Sequence, residues 1–259
     1  MILSADLLGT SHASTEGVYA AIRSGLASCG SLATPGPWAR YAAAQYRGED
    51  VGVLLTLNAE LDILRWGPTT HAPSLLDGEG GFPRTLEDLW DHADLEEVRR
   101  ECRAQVERAV LWGFRLTHLA TLRSALQQRP EFFDVLVDLG CEYRLPLRLH
   151  GSDHESEIGF PARQLANEQN ILMPDQVVNA TGIDRTQFEE LLTTLSPGVT
   201  EVILEPAVDS AELRAADPRW AERVSDLDLL VGDSGLAATI EKALIEPVSY
   251  RALCNLQRV

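Results

Sequence analysis

Short apolar runs alternate with amphipathic stretches along most of this chain, and no other feature narrows its fold as far. Residues 2–6 form a strand-like run, after which Val18, Ala21, Ile22 and Leu26 recur at helical spacing around residues 14–24. Residues 28–33 are a second strand candidate, ended by "TPGPW", and residues 50–58, "DVGVLLTLN", are a third. The spacing of Leu95, Val98, Cys102, Val106 and Val110 predicts a long helix over 94–111, stopped by Gly113. Further strands are expected at 114–119, 145–149, 171–173 and 199–204, with helices at 130–140, 185–195, 227–230 and 236–244 and a short closing strand in "EPVSY". Residues 62–84 carry "GPTTHAP" and "DGEGGFP" and read as a long loop, as does polar 150–157. Repeated strand–helix units of this kind predict an α/β fold: parallel strands with outer helices, closed into an irregular, TIM-like (β/α) barrel. At 259 residues the whole chain, 1–259, fits one such domain.

Charge removes several functions. A net charge of -17 argues against binding nucleic acid or an anionic membrane through a basic patch. No apolar run is long enough to span a bilayer, and no signal-type segment opens the sequence, so a cytoplasmic protein is expected. Cys29, Cys102, Cys141 and Cys254 are widely spaced and read as buried reduced thiols. The expected partner is a small-molecule substrate, and a homodimer stays open.

In a parallel barrel the groups that do chemistry sit at the carboxyl ends of strands. Asp6, the end of "VGVLLTLN", the end of "FRLTHLATL", Arg148 with His150 and His154, and Glu205 after "EVIL" occupy those places.

At these strand ends the chain resembles the YdjC/ChbG family of carbohydrate deacetylases, which includes hopanoid-associated deacetylases. "SADLLGTSHASTEGV" resembles the family's opening segment with its acidic pair. "DVGVLLTLNAE" is similar to its "G-x-H-L-T-L" strand, and "LTHLATL" to its "THxDxH" strand. "LPLRL", "PGVTEVILEPAVDSAELRA" and "IEPVSYRAL" resemble later segments in the same order. The resemblance implies an irregular β/α barrel and metal-assisted hydrolysis of a sugar N-acetyl group, in which a divalent ion polarises the amide and activates water. Carried over by position, it places a catalytic base at Asp6 but puts Leu7 where the second acid would bind metal. A ligand histidine matches Leu54, the strand acid matches Ala120, a further ligand histidine matches Leu122, and the next ligand position holds Ser124. The proposed catalytic histidine of the "HPA" segment matches Glu205. Leucine side chains cannot coordinate a cation, so no metal and no other cofactor is expected at these positions.

Two carboxyls, Asp6 and Glu205, could then face a drier cavity, where burial and mutual repulsion separate their pKa values into an acid and a base. Asp6 as a turn cap and Glu205 as a solvated loop acid are the alternatives. Leu7, His12, Leu54, His118, Leu122, Arg148 and His150 are the candidate substrate-binding residues. For His118 a strand-packing role competes, and for Arg148 pairing to a local acid. Trp38 and Trp66 could line a cleft or merely pack. The expected function is acid–base chemistry on a neutral, fairly apolar small molecule: cyclisation, dehydration, isomerisation or hydrolysis. The competing readings are a non-catalytic sugar- or partner-binding relative, and a deacetylase with ligands relocated to His150, Asp153 and His154.

Overall fold

Every residue of strands β1 (Ile2–Leu8) and β3 (Val51–Leu55) is buried, as expected of parallel strands covered on both faces. They join β2 (Cys29–Leu32), β4 (Leu116–Thr121), β5 (Gln176–Asn179) and β6 (Thr200–Leu204) in one sheet, ordered β4-β3-β2-β1-β6-β5, with every pairing parallel. This computed structural model describes residues 1–24, 26–232 and 234–259, and of residues 152, 153 and 234 the backbone alone.

Helices α1 (His12–Arg23), α2 (Ala39–Gln45), α3 (Leu86–His92), α4 (Leu95–Leu111) and α5 (Pro130–Tyr143) follow the first four strands. Then come α6 (Ser152–Ile158), α7 (Ala162–Glu168), α8 (Arg185–Thr194), α9 (Ala211–Ala216), α10 (Trp220–Val231), α11 (Ser234–Lys242) and α12 (Tyr250–Gln257). Asp94 caps α4 by accepting from the backbone N–H groups of Glu96 and Glu97. Val98, Cys102, Val106 and Ala109 bury its inner stripe. Val110, expected on that stripe, is half exposed, because the apolar face has rotated away by that turn.

The expected closed barrel becomes an open, curled half-barrel. Beyond β4 the described residues add only an isolated parallel bridge between Leu119 and Leu147. Residues 145–149 and 171–173, both expected as strands, are joined through Leu147 N–H and the Leu172 carbonyl, but neither forms a ladder. Pro146 and Pro174 remove N–H donors that a ladder would need. The fifth strand lies instead at Gln176–Asn179. "EPVSY" meets Met1 twice, the Met1 ammonium donating to the Glu246 carbonyl and the Val248 N–H to the Met1 carbonyl, and then becomes the start of α12 rather than a strand. Expected loop 150–157 contains α6, whereas 62–84 is a loop interrupted by one 3-10 turn, Pro73–Leu75. All four cysteines are unpaired, with Cys141 exposed and the other three buried. No helix among the described residues is long and apolar enough to cross a membrane.

Helix α1 rests directly on the segment after β6. A Cβ on Gly17 would lie 2.6 Å from the Pro206 carbonyl oxygen and from the Ala207 Cα, both backbone atoms that cannot swing aside. Gly17→Ala is therefore expected to destabilise the fold by about 1–3 kcal/mol through overpacking, as read by urea denaturation, despite alanine's better helix propensity. A gain in stability would show that the helix and segment separate freely.

Candidate active site

The carboxyl ends of β1, β3, β4 and β6 converge on a cleft of about 200 Å³. Asp6, Leu54, Leu122, Arg148, His150 and Glu205 line it, together with Ser124. A bulge aims the first of these. The β1–β2 register shifts between Ala5 and Leu8, and Leu7 takes a left-handed backbone with φ of 70°. Thr10 fixes that turn, its hydroxyl donating to the Leu7 carbonyl at 2.8 Å. Leu7 leaves the cleft and joins Leu64, Trp66, Leu122 and Leu213 around a neighbouring apolar pocket of about 30 Å³.

Arg148 lies almost wholly buried and holds Asp6 with both terminal nitrogens, at 2.5 and 3.0 Å. Its Nε and Nη2 also donate to Glu201 Oε1 at 2.9 and 2.6 Å. Glu201, with no exposed surface, further accepts from the Ser4 and Tyr250 hydroxyls. Burial opposes the guanidinium charge, but Asp6 and Glu201 overcome it and hold the Arg148 pKa well above its usual value. Of the two roles open to Arg148, the geometry takes pairing to acids.

Glu205 is equally committed. Its backbone N–H donates to Asp226 Oδ2 at 2.8 Å, and its carboxylate pairs with Arg223 and, at 3.5 Å, with Arg123 Nη1. Arg123 is anchored in turn by Glu60. The two expected catalytic carboxyls therefore do face one cleft, but each sits against a guanidinium. Leu54 and Leu122 do line that cleft, but a guanidinium beside each carboxyl opposes the burial and mutual repulsion on which their expected acid–base division depended.

The expected histidines separate. His150 lines the cleft, and its Nε2 accepts the Ser124 hydroxyl at 2.7 Å when the ring proton is on Nδ1. His12 opens α1 and packs against Trp38 and Tyr41, with ring centroids 5.0 and 5.3 Å away, so it is corrected from substrate binding to an aromatic cluster. His118 is corrected too: it is fully buried in the sheet, stacked on Tyr250 at 3.9 Å and within 3.1 Å of the Ser31 hydroxyl. Burial, and then the Arg148 charge, push its pKa well down, which keeps it neutral. Trp66 lines the apolar pocket; Trp38 does not reach the cleft.

The metal that the resemblance implies does not fit these residues. Leu54 and Leu122 are buried apolar side chains, Leu7 faces the apolar pocket, and both Asp6 oxygens are taken by Arg148. Among the described residues no three of His, Cys, Asp and Glu converge to hold an ion. Of the relocated set, His150 and His154 do approach, with ring centroids 4.6 Å apart, but the Asp153 side chain lies outside what the structure describes.

The YdjC-like protein family model matches residues 1–241. The chain belongs to the YdjC-like family. The carbohydrate deacetylase of Thermus thermophilus is 34% identical over 238 residues, covering 87% of this chain and 84% of its own. That of Thermoanaerobacter pseudethanolicus is 25% identical, covering 89% and 90%. The crystal structure of a putative cellobiose-phosphate cleavage protein from Enterococcus faecalis superimposes with a TM-score of 0.83, over 97% of both chains at 22% identity, which establishes the shared fold. These relatives overturn the expected chemistry on a fairly apolar small molecule. Proteins aligned with most of this YdjC-like chain are named carbohydrate deacetylases, which speaks against a fairly apolar small molecule.

Several residues of the site escaped the sequence reading. Glu201 had a signal, since an acid inside the apolar strand "TEVIL" must find a buried cation. Arg123 had none; Ser124 stood at a family ligand position, but the left-handed backbones of both, φ 50° and 58°, arise from a turn no glycine marks. Gln127, Asn179 and Asp226 likewise sit in segments without a pattern.

Proposed function

We propose that this YdjC-like protein removes an acetyl group from an amino sugar bound at the carboxyl ends of the strands. The observation that carries the reading is the lining of the cleft. Thr121, Ser124, Gln127, His150 and Asn179 bring hydrogen-bonding groups to the same space as the ion-paired Asp6 and Glu205. Such a surface suits the hydroxyls and amide of an N-acetylated saccharide. The adjoining pocket, lined by Leu7, Leu64, Trp66 and Leu213, offers apolar surface to the methyl of an acetyl group. The activity named for the Thermus and Thermoanaerobacter relatives supports the same reading.

The test is acetate release from N-acetylglucosamine and its linear oligosaccharides. Saturable release from at least one is expected. Folded protein that neither releases acetate from any of them nor binds any of them saturably would sink the proposal.

A further inference from the structure

We infer that Ser124 and His150 form a nucleophile–base pair that performs acyl transfer in this cleft, an assignment that takes its substrate from the carbohydrate deacetylase reading above. Three observations meet at this point. The Ser124 hydroxyl lies 2.7 Å from His150 Nε2, the separation of a nucleophile from its base. Both residues line the cleft that receives the other strand ends. Ser124 also sits just past β4 on a turn where two successive non-glycine residues, Arg123 and Ser124, adopt left-handed backbone. Such a conformation is strained for a residue with a side chain and persists only where its surroundings impose it. Here the Arg123–Glu60 pair and the Gln127 N–H, donating to the Ser124 carbonyl at 2.8 Å, hold it in place. A strained strand-to-helix turn that raises a serine into a cleft is how other acyl hydrolases present their nucleophile. A second imidazole, His154, lies against His150 with ring centroids 4.6 Å apart and pairs in turn with the exposed Glu157 at 3.0 Å.

The reaction balances with water as the only co-reactant. Ser124 Oγ forms a bond to the carbonyl carbon of the N-acetyl group while His150 Nε2 takes the hydroxyl proton. Positive charge for the developing oxyanion comes from the Arg123 guanidinium, which lines the same cleft and whose Nη1 stands 3.5 Å from Glu205. The C–N bond then breaks, His150 returns the proton to the departing amine, and the acetyl group remains on Oγ as an ester. Water attacks that ester, giving its proton to His150. The C–Oγ bond breaks, acetate leaves, and Oγ regains the proton.

Two measurements test the pair. A fluorophosphonate probe should label wild-type protein on Ser124, located by peptide mass mapping, and labelling should vanish in His150→Gln, which keeps the serine. An unlabelled wild-type Ser124, or undiminished labelling in His150→Gln, overturns the inference. In the saccharide assay, Ser124→Ala and Ser124→Gly should each lose about a thousand-fold or more of the acetate release. Ser124→Gly suits the left-handed backbone, so its folded state separates loss of the hydroxyl from misfolding. Release that survives in both variants, or that is abolished in wild type by a chelator and restored by zinc, removes the pair and leaves the carbohydrate reading standing. A labelled Ser124 with no saccharide deacetylated does the reverse.

Discussion

Arg148→Met is expected to destabilise the folded protein by about 3–5 kcal/mol, read as a shift of the urea midpoint. The guanidinium spans Asp6 and Glu201, and all three groups are buried. Removing it leaves Glu201, with no exposed surface, and the nearly buried Asp6 without a counter-charge. The penalty comes from those orphaned acids more than from the lost attraction. Two companion variants separate these effects. Arg148→Lys should recover little, because one ammonium cannot reproduce the fork that reaches both acids. Adding Asp6→Asn and Glu201→Gln to Arg148→Met should recover much of the loss, since neutral amides tolerate the site. A midpoint for Arg148→Met that matches wild type would mean that solvent reaches these acids.

Asp226→Asn should change the dependence of stability on pH by up to about 4 kcal/mol between pH 4 and pH 7. Burial, opposed by the Gly182 N–H and the Arg223 charge, raises the Asp226 pKa from 3.8 to about 7. A carboxyl raised in the folded state favours folding while both states are protonated, at low pH. As the pH climbs from about 4, the unfolded chain ionises first and gains stability the native state lacks, until about pH 7. Asparagine cannot ionise and escapes that loss. The difference in unfolding free energy, variant minus wild type, should therefore rise with pH across this window and level off above it. Parallel profiles for the two proteins would show that Asp226 titrates normally.

The sequence carried the fold well where apolar runs were long and their ends marked. β1, β3, α4 and α8 lie within a few residues of their expected limits, because burial of a whole strand or stripe dominates every local preference there. Edge regions were less legible. Leu145–Leu149 has strand composition, but prolines and a buried arginine divert its backbone into a single bridge. "EPVSY" reads as extended until Tyr250, whose ring belongs on His118 and draws the next turn into α12. The site was legible as a set of strand ends and not as a geometry. Asp6, Leu54, Leu122, Arg148, His150 and Glu205 meet in one cleft as expected. What the letters could not show was which way each side chain turns. A bulge sends Leu7 to one side of Asp6, two left-handed residues lift Ser124 toward His150, and guanidinium groups claim both carboxyls. These depend on partners beyond the reach of a local pattern, Ser124 and His150 lying 26 residues apart and Asp6 and Arg148 142.

The knot around Glu201 imposes an order of events during translation. Its carboxylate draws donors from Ser4, Arg148 and Tyr250, which lie 197, 53 and 49 residues from it along the chain. A ribosome delivers them from the amino end, so a nascent polypeptide that has just extruded β6 carries an acid whose tyrosine partner is still unmade. The central strands can associate before then, but the sheet cannot seal its interior until Tyr250 emerges and α12 docks. Translation pauses upstream of that helix would leave the growing chain open to proteases and chaperones at this one joint.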